Sequence, residues 1–331
     1  MPDATARARV KPWKHPAFRL AGSAVVLALL FTVLPAGELI AAMRRLPLVA
    51  WGLAIATYLT LHLIGVVKWR LLANAAGAGL PFVDAVRAYY SGLFGNTFLP
   101  SIVGGDVVRA GVAFGVVRSR SGLLLGSLVD RVQDVIGLGL VAGIGVLLSP
   151  RALAAESRTV FIALGALMAA GGLGALVTWF MFPVHRLPFR WRRKFIPVRR
   201  AIRATASQPS RLVMALLLGM ALQSLLVVLN WVLGRAIGID IPLYVWFFVW
   251  PLAKISGLLP VTQGGIGVRE AAQAALFAPF GVPAVMAVAT GLVFEVVIIS
   301  GGLAGGAIAW LIGRGRRNGA GRTAQLRTGE A

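Results

Sequence analysis

LPSIVGGDVVRA, residues Leu99–Ala110, returns 160 residues later as LPVTQGGIGVRE, residues Leu259–Glu270. Leu, Pro, Gly-Gly and Arg recur in order, as Leu99, Pro100, Gly104, Gly105 and Arg109 and then as Leu259, Pro260, Gly264, Gly265 and Arg269. The likeness extends upstream. WRLLANAAGAGLP (Trp69–Pro81) resembles WVLGRAIGIDIP (Trp231–Pro242). Glycine alone could match itself by accident, because it fills 40 of 331 positions. Proline, tryptophan and arginine match as well. A Pro- and Gly-broken apolar segment written once per half reads as a duplicated membrane transporter, with the breaks pointing to a site near the bilayer midplane.

Working outward, the chain is apolar enough for a membrane. Apolar residues make up 58% and charged residues 13%, against about 25% charged in a soluble domain. Stretches long enough to span, roughly 20 residues, occur at Leu48–Val67, Leu123–Leu148, Val160–Phe182, Leu212–Leu233 and Ala284–Ile312, with a shorter one at Leu20–Leu34. The last could instead be a signal peptide cut near Ala36. No stretch is long and polar enough to be a separate soluble enzyme domain.

The expected fold is therefore an all-α integral membrane protein. It has about six full transmembrane helices and two re-entrant hairpins, and both termini are cytoplasmic. Residues 1–19 form a cytoplasmic arm, repeat one spans about 48–148, and repeat two about 211–311. Residues 183–210 form a basic cytoplasmic loop and 313–331 a tail. Starting from opposite faces, the repeats are inverted in topology. The net charge of +22 is not a nucleic-acid signal, because it gathers in the arm, loop and tail, where the positive-inside rule places it. Arg44, Arg45, Arg151, Arg158 and Arg235 fall on the outside in this scheme.

There is no cysteine, so disulfides and thiolate chemistry are excluded. The three histidines lie in unrelated segments, so neither a metal nor any other cofactor is expected. His62 reads as an interior polar contact. Gly301–Gly306 (GGLAGG) reads as a surface for close helix packing. Trp13, Trp179, Trp191, Trp246, Trp250 and Trp310 read as interfacial belt residues.

Nine ionisable residues are expected at membrane depth: Asp106, Arg109, Asp130, Arg131, Asp134, Lys254, Arg269, Glu270 and Glu295. Each would cost about 2.5–3.5 kcal/mol at a lipid-facing helix centre, so they should pair and line a polar cavity. Asp130 and Asp134 share a helix face. The amides of Gly104–Gly105 and Gly264–Gly265 open short helices whose N-termini suit a phosphate, and Arg109 and Arg269 add bidentate donors. The alternative to a substrate role is that the same charges are structural ion pairs holding the hairpin tips. Neither break is a nucleotide-binding loop, since no GK[ST] follows.

With these motifs assembled, the chain resembles the flippase-like membrane family named for the lysylphosphatidylglycerol synthase transmembrane region. FLPSIVGGDVVRA, LVDRV (Leu128–Val132) and LLPVTQGGIGVREAA carry the resemblance, which covers nearly the whole chain from about Leu20. It implies a polytopic protein of the bacterial inner membrane that handles lipids. In bifunctional relatives this region translocates aminoacylated phosphatidylglycerol made by a separate soluble domain. Stand-alone relatives are linked to other lipids, so the substrate does not transfer. Asp106, Arg109, Asp130, Arg131, Arg269 and Glu270 match the family pattern. Gln263 stands where relatives often have Pro, and Glu295 where a basic residue is common, which bears on the polarity of the cavity.

The expected function is a lipid translocase for an anionic phospholipid or glycolipid, with membrane lipids as its partners and protons as a possible driving ion. A secondary transporter of a small soluble anion is the alternative. A membrane-embedded transferase is a third, against which stands the lack of a nucleophile constellation.

Overall fold

The structure, a computed structural model, describes residues 36–99, 104–148, 202–257, 265 and 267–328, with side chains as far as 315. Among the described residues every regular element is helical. Four helices are long and apolar enough to cross a membrane: α2 (Leu48–Ala75), α5 (Arg120–Leu148), α6 (Pro209–Ile237) and α9 (Ala284–Thr328, of which Ala284–Gly315 is the span). These coincide with four of the six expected crossings. The other two, Leu20–Leu34 and Val160–Phe182, lie outside the described residues, as do Gly264, Trp13, Trp179 and Trp191.

The short helices are α1 (Ala36–Arg44), α3 (Phe82–Phe98), α4 (Gly104–Ala113), α7 (Leu243–Ser256) and α8 (Val268–Phe277). A ten-residue helix such as α4 is about 15 Å long, half of a ~30 Å hydrocarbon core. Proline and glycine set these lengths. Pro81 and Pro242 stand at the N-caps of α3 and α7 in extended conformation, which a residue lacking N–H and locked in φ tolerates well.

Two ties run between α2 and α6. At one end Gln208 Nε2 donates to the Ala75 carbonyl at 3.2 Å. At the other, Arg45 Nη1 donates to the Ile237 carbonyl at 2.9 Å. The start of each helix meets the end of the other, so these corresponding helices run antiparallel. The short helices return on themselves. Arg118 N donates to Ala78 O at 2.8 Å, so the chain leaves α4 beside the point where it entered α3. In the second half, Trp246 at the start of α7 meets Phe277 at the end of α8, ring centroids 4.7 Å apart.

Each half lends its first short helix to the other. α3 packs most extensively on α9, and α7 on α5. Small residues make this possible. Side chains at Gly301, Gly302, Gly305 and Gly306 would run into Tyr58, Thr97, Tyr90 and Phe94, so the GGLAGG stripe is a close-packing surface, as expected from its sequence. Gly145 gives α7 the same access, since a Cβ there would lie 2.5 Å from Phe248 N.

The main core gathers α2, α6, α7 and α9 around Trp246, Trp250, Phe277 and Phe294. This corrects the belt reading for two tryptophans. Trp246 and Trp250 are 0% and 1% exposed: Trp246 fills the space left by Gly234, and Trp250 packs edge-on to Phe294 at 4.6 Å. Trp310 is exposed, as a belt residue should be.

Candidate functional site

Helix α2 does not stop where its apolar stretch does. It runs on to Ala75 and carries Lys68 into the interior, 2% exposed. Its ammonium reaches Asp130 Oδ1 at 3.1 Å and also contacts Asp134 Oδ1. Asp130 Oδ2 accepts from both Nη1 and Nη2 of Arg109 at 3.3 Å. Arg109 Nη2 lies 2.9 Å from Asp106, three residues earlier on α4. Asp106 accepts a bidentate pair from Arg131, with Nε at 2.5 Å and Nη2 at 2.6 Å. Arg131 Nη1 reaches Asp134 at 3.7 Å. The circuit closes there, with three cations and three carboxylates alternating and each touching two of the opposite sign.

Helical spacing makes the ring possible. Asp106 and Arg109, like Arg131 and Asp134, are three apart and share a face, while α2 delivers Lys68 between the two carboxylates of α5. Three helices are thereby fastened together. The link matters most between α4 and α5, which otherwise touch very little. Removing a charge from water costs several kcal/mol, and two counter-ions per charge offset that cost. Arg109 is further held by aromatic faces, with its guanidinium carbon 4.4 Å from the Trp69 ring centroid and 5.5 Å from that of Tyr89. Tyr89 in turn hydrogen-bonds His62 Nδ1 at 3.3 Å, the interior contact expected of that histidine.

The second hairpin carries a smaller cluster. Arg269 Nη2 lies 2.8 Å from Glu270 Oε1 and also binds Glu295 on α9. Glu270 is fully buried, and its other oxygen accepts the Gly267 amide at 2.6 Å. The turn before α8 requires glycine twice. Gly265 and Gly267 have φ of +79° and +89°, a region that side chains avoid. A Cβ on Gly265 would also come within 2.7 Å of Gly257 Cα. Helix α8 starts at Val268, past the Gly264–Gly265 pair expected to open it. Arg269 lies over the Trp250 ring at 5.6 Å, so in each half the repeated arginine rests on a tryptophan.

Every expected site residue that is described falls into one of these clusters or the breaks beside them. Arg109 and Arg269, expected to clamp a phosphate, are each already held by two carboxylates. The helix N-termini are also occupied from within. Asn96 Oδ1 accepts the Gly105 amide at 3.0 Å, and Glu270 caps Gly267. Lys68 was not expected; it reads in sequence as a charge flanking a span. Gln223 was also missed, a buried side chain on α6 whose Oε1 accepts from Lys254 Nζ at 2.9 Å. Among the described residues no group of His, Asp and Glu is arranged to hold a metal ion.

The family model of the lysylphosphatidylglycerol synthase TM region matches residues 17–306. The chain belongs to this family. It is a multi-pass membrane protein, and its membership of the lysylphosphatidylglycerol synthase TM region family links it to lipid handling. No curated protein and no solved structure matches the chain. The ring of six charges and the Arg269 cluster both lie within the matched residues.

Proposed function

We propose that the protein is a lipid translocase that carries the head group of an anionic phospholipid or glycolipid between leaflets, while the acyl tails stay in the bilayer. One observation carries this reading: at Arg131 the ring of charges reaches the surface of the described helices. The Arg131 side chain is 43% exposed. Around it stand Leu128 at 61%, Val132 at 43% and Val107 at 65%, apolar side chains of the kind that face acyl chains. A charged cluster with an apolar flank suits a molecule whose head is charged and whose tail is not. A sealed pore would serve a soluble anion.

The two halves support the rest of the scheme. Antiparallel α2 and α6, with the reciprocal loan of α3 and α7, are what inverted-topology repeats produce. Helices α3–α4 and α7–α8 then act as re-entrant hairpins from opposite faces. Backbone that breaks between two short helices is tolerable at membrane depth where it is buried in protein or lines a polar cavity. One end of the bundle gathers Arg70, Arg118, Arg120, Arg203, Arg211 and Arg314, and the other Arg44, Arg45 and Arg235. We assign the first end to the cytoplasm of a bacterial inner membrane. The protein moves its substrate without altering it, and no nucleotide loop supplies energy, so a proton gradient is the natural driving force to test.

The test is direct. Head-group-tagged phosphatidylglycerol is placed in one leaflet of vesicles holding only this protein. It should equilibrate faster than in protein-free vesicles. Failure with several anionic lipids and glycolipids, with and without a proton gradient, combined with uptake of inorganic phosphate, would establish the soluble-anion transporter instead.

A further inference from the structure

Among the described residues five cations belong to the charged clusters of the bundle or stand beside them: Lys68, Arg109, Arg131, Arg269 and Lys254. Four of them touch two carboxylates each. Lys68 has Asp130 and Asp134, Arg109 has Asp106 and Asp130, Arg131 has Asp106 and Asp134, and Arg269 has Glu270 and Glu295. Among the described residues Lys254 touches none. Its hydrogen-bond partner is the neutral amide oxygen of Gln223 at 2.9 Å. Every carboxylate of the two clusters is already engaged, so none is left over for it.

We infer that the anionic group of the substrate docks on Lys254 beside Gln223, and not on Arg109 or Arg269. The inference deepens the translocase reading and rests on it. Lys254 is half-buried, and an ammonium partly withdrawn from water without a counter-ion is costly. The last turn of α7 offsets part of that cost, since a helix C-terminus favours a cation, but it supplies no anion. A phosphodiester oxygen would. Gln223 has amide hydrogens to offer the same oxygens. The position suits a carrier, because Lys254 sits in the last turn of α7, which packs on α5, the helix of Asp130 and Asp134, and its ammonium meets Gln223 of α6. Cations already paired with two of the chain's own carboxylates hold the scaffold. The unsaturated one is free to exchange an anion.

The experiment uses the full chain in vesicles and three probes: tagged phosphatidylglycerol, a tagged neutral glycosyl diacylglycerol, and inorganic phosphate. Lys254→Met should slow phosphatidylglycerol exchange about 10-fold, the scale of one lost charge-assisted hydrogen bond, and leave the neutral glycolipid at the parent rate. Lys254→Arg should recover most of the loss. A Lys254→Met protein that moves phosphatidylglycerol at the parent rate overturns the site and leaves the translocase reading standing. Equal slowing of both lipids without recovery in Lys254→Arg makes Lys254 a structural residue and likewise overturns it. If the parent protein moves neither lipid but admits phosphate, the translocase reading falls. Loss of that uptake in Lys254→Met then keeps the site with a free anion as its ligand, and its persistence removes the site as well.

Discussion

The guanidinium of Arg109 lies 4.4 Å over the ring of Trp69 while its nitrogens hold Asp130 at 3.3 Å. One face of the cation lies over π-electrons, and its two Nη groups meet carboxylates. A lysine can supply the charge but neither the plane nor the fork. Arg109→Lys should therefore lower the stability of the detergent-solubilised protein by about 1–3 kcal/mol, the range of a desolvated cation–π contact plus a charged hydrogen bond. Trp69→Leu should lose a comparable amount. Thermal unfolding followed by tryptophan-independent light scattering measures both. Unchanged melting in Arg109→Lys would show that charge alone holds the ring.

Lys68 offers a sharper test, because its removal strands two acids. Lys68→Met should destabilise the protein by about 3–5 kcal/mol, as expected when one partner of a buried ion pair is deleted. Adding Asp134→Asn should restore part of the loss, since one stranded charge goes with it. A double variant no more stable than the single one would mean that the two residues do not interact.

Glu270 holds two partners at once, the Gly267 amide and Arg269. Glu270→Gln keeps an oxygen for the amide but weakens the grip on Arg269. We expect insertion at near-parent levels with transport lost, read as lipid exchange in vesicles beside a membrane-fraction immunoblot. Asp106→Asn should behave alike at the first hairpin. Full exchange in both variants would make the hairpin tips scaffolding only.

The chain has no cysteine, so introduced thiols report topology without background. Ser207→Cys, exposed at the end carrying Arg203 and Arg211, should react only from the cytoplasm. Asp240→Cys, exposed beyond α6, should react only from the far side. Labelling of both from one side would contradict the spanning of α6.

Much of this architecture is visible in the order of residues. The repeated Pro, Gly-Gly and Arg locate the hairpin breaks, because only glycine meets the backbone demands at Gly265 and Gly267. Apolar length locates α2, α5, α6 and α9. Choice of partner is not visible in the same way. Arg109 and Asp130 are 21 positions apart, and nothing in either neighbourhood says that the carboxylate, and not a substrate, completes the arginine. Lys68 closes an apolar run and so looks like a topological marker. Only the continuation of α2 through Trp69 and Leu72, both fully buried, shows that the helix carries it inward. Trp246 and Trp250 fail for a related reason. Their place near a span end suggested an interface, but Gly234 and Phe294 offered them pockets.

The ring around Asp106 and Arg109 has an electrical consequence. Both residues ride on α4, one negative and one positive, so a translation of that helix moves no net charge through the membrane field. A single unpaired charge crossing the field would exchange about 2.3 kcal/mol per 100 mV. A hairpin carrying a matched pair exchanges none. The voltage across the membrane therefore has no hold on a translation of α4, and in the proposed translocase a current would report the charge of what is carried.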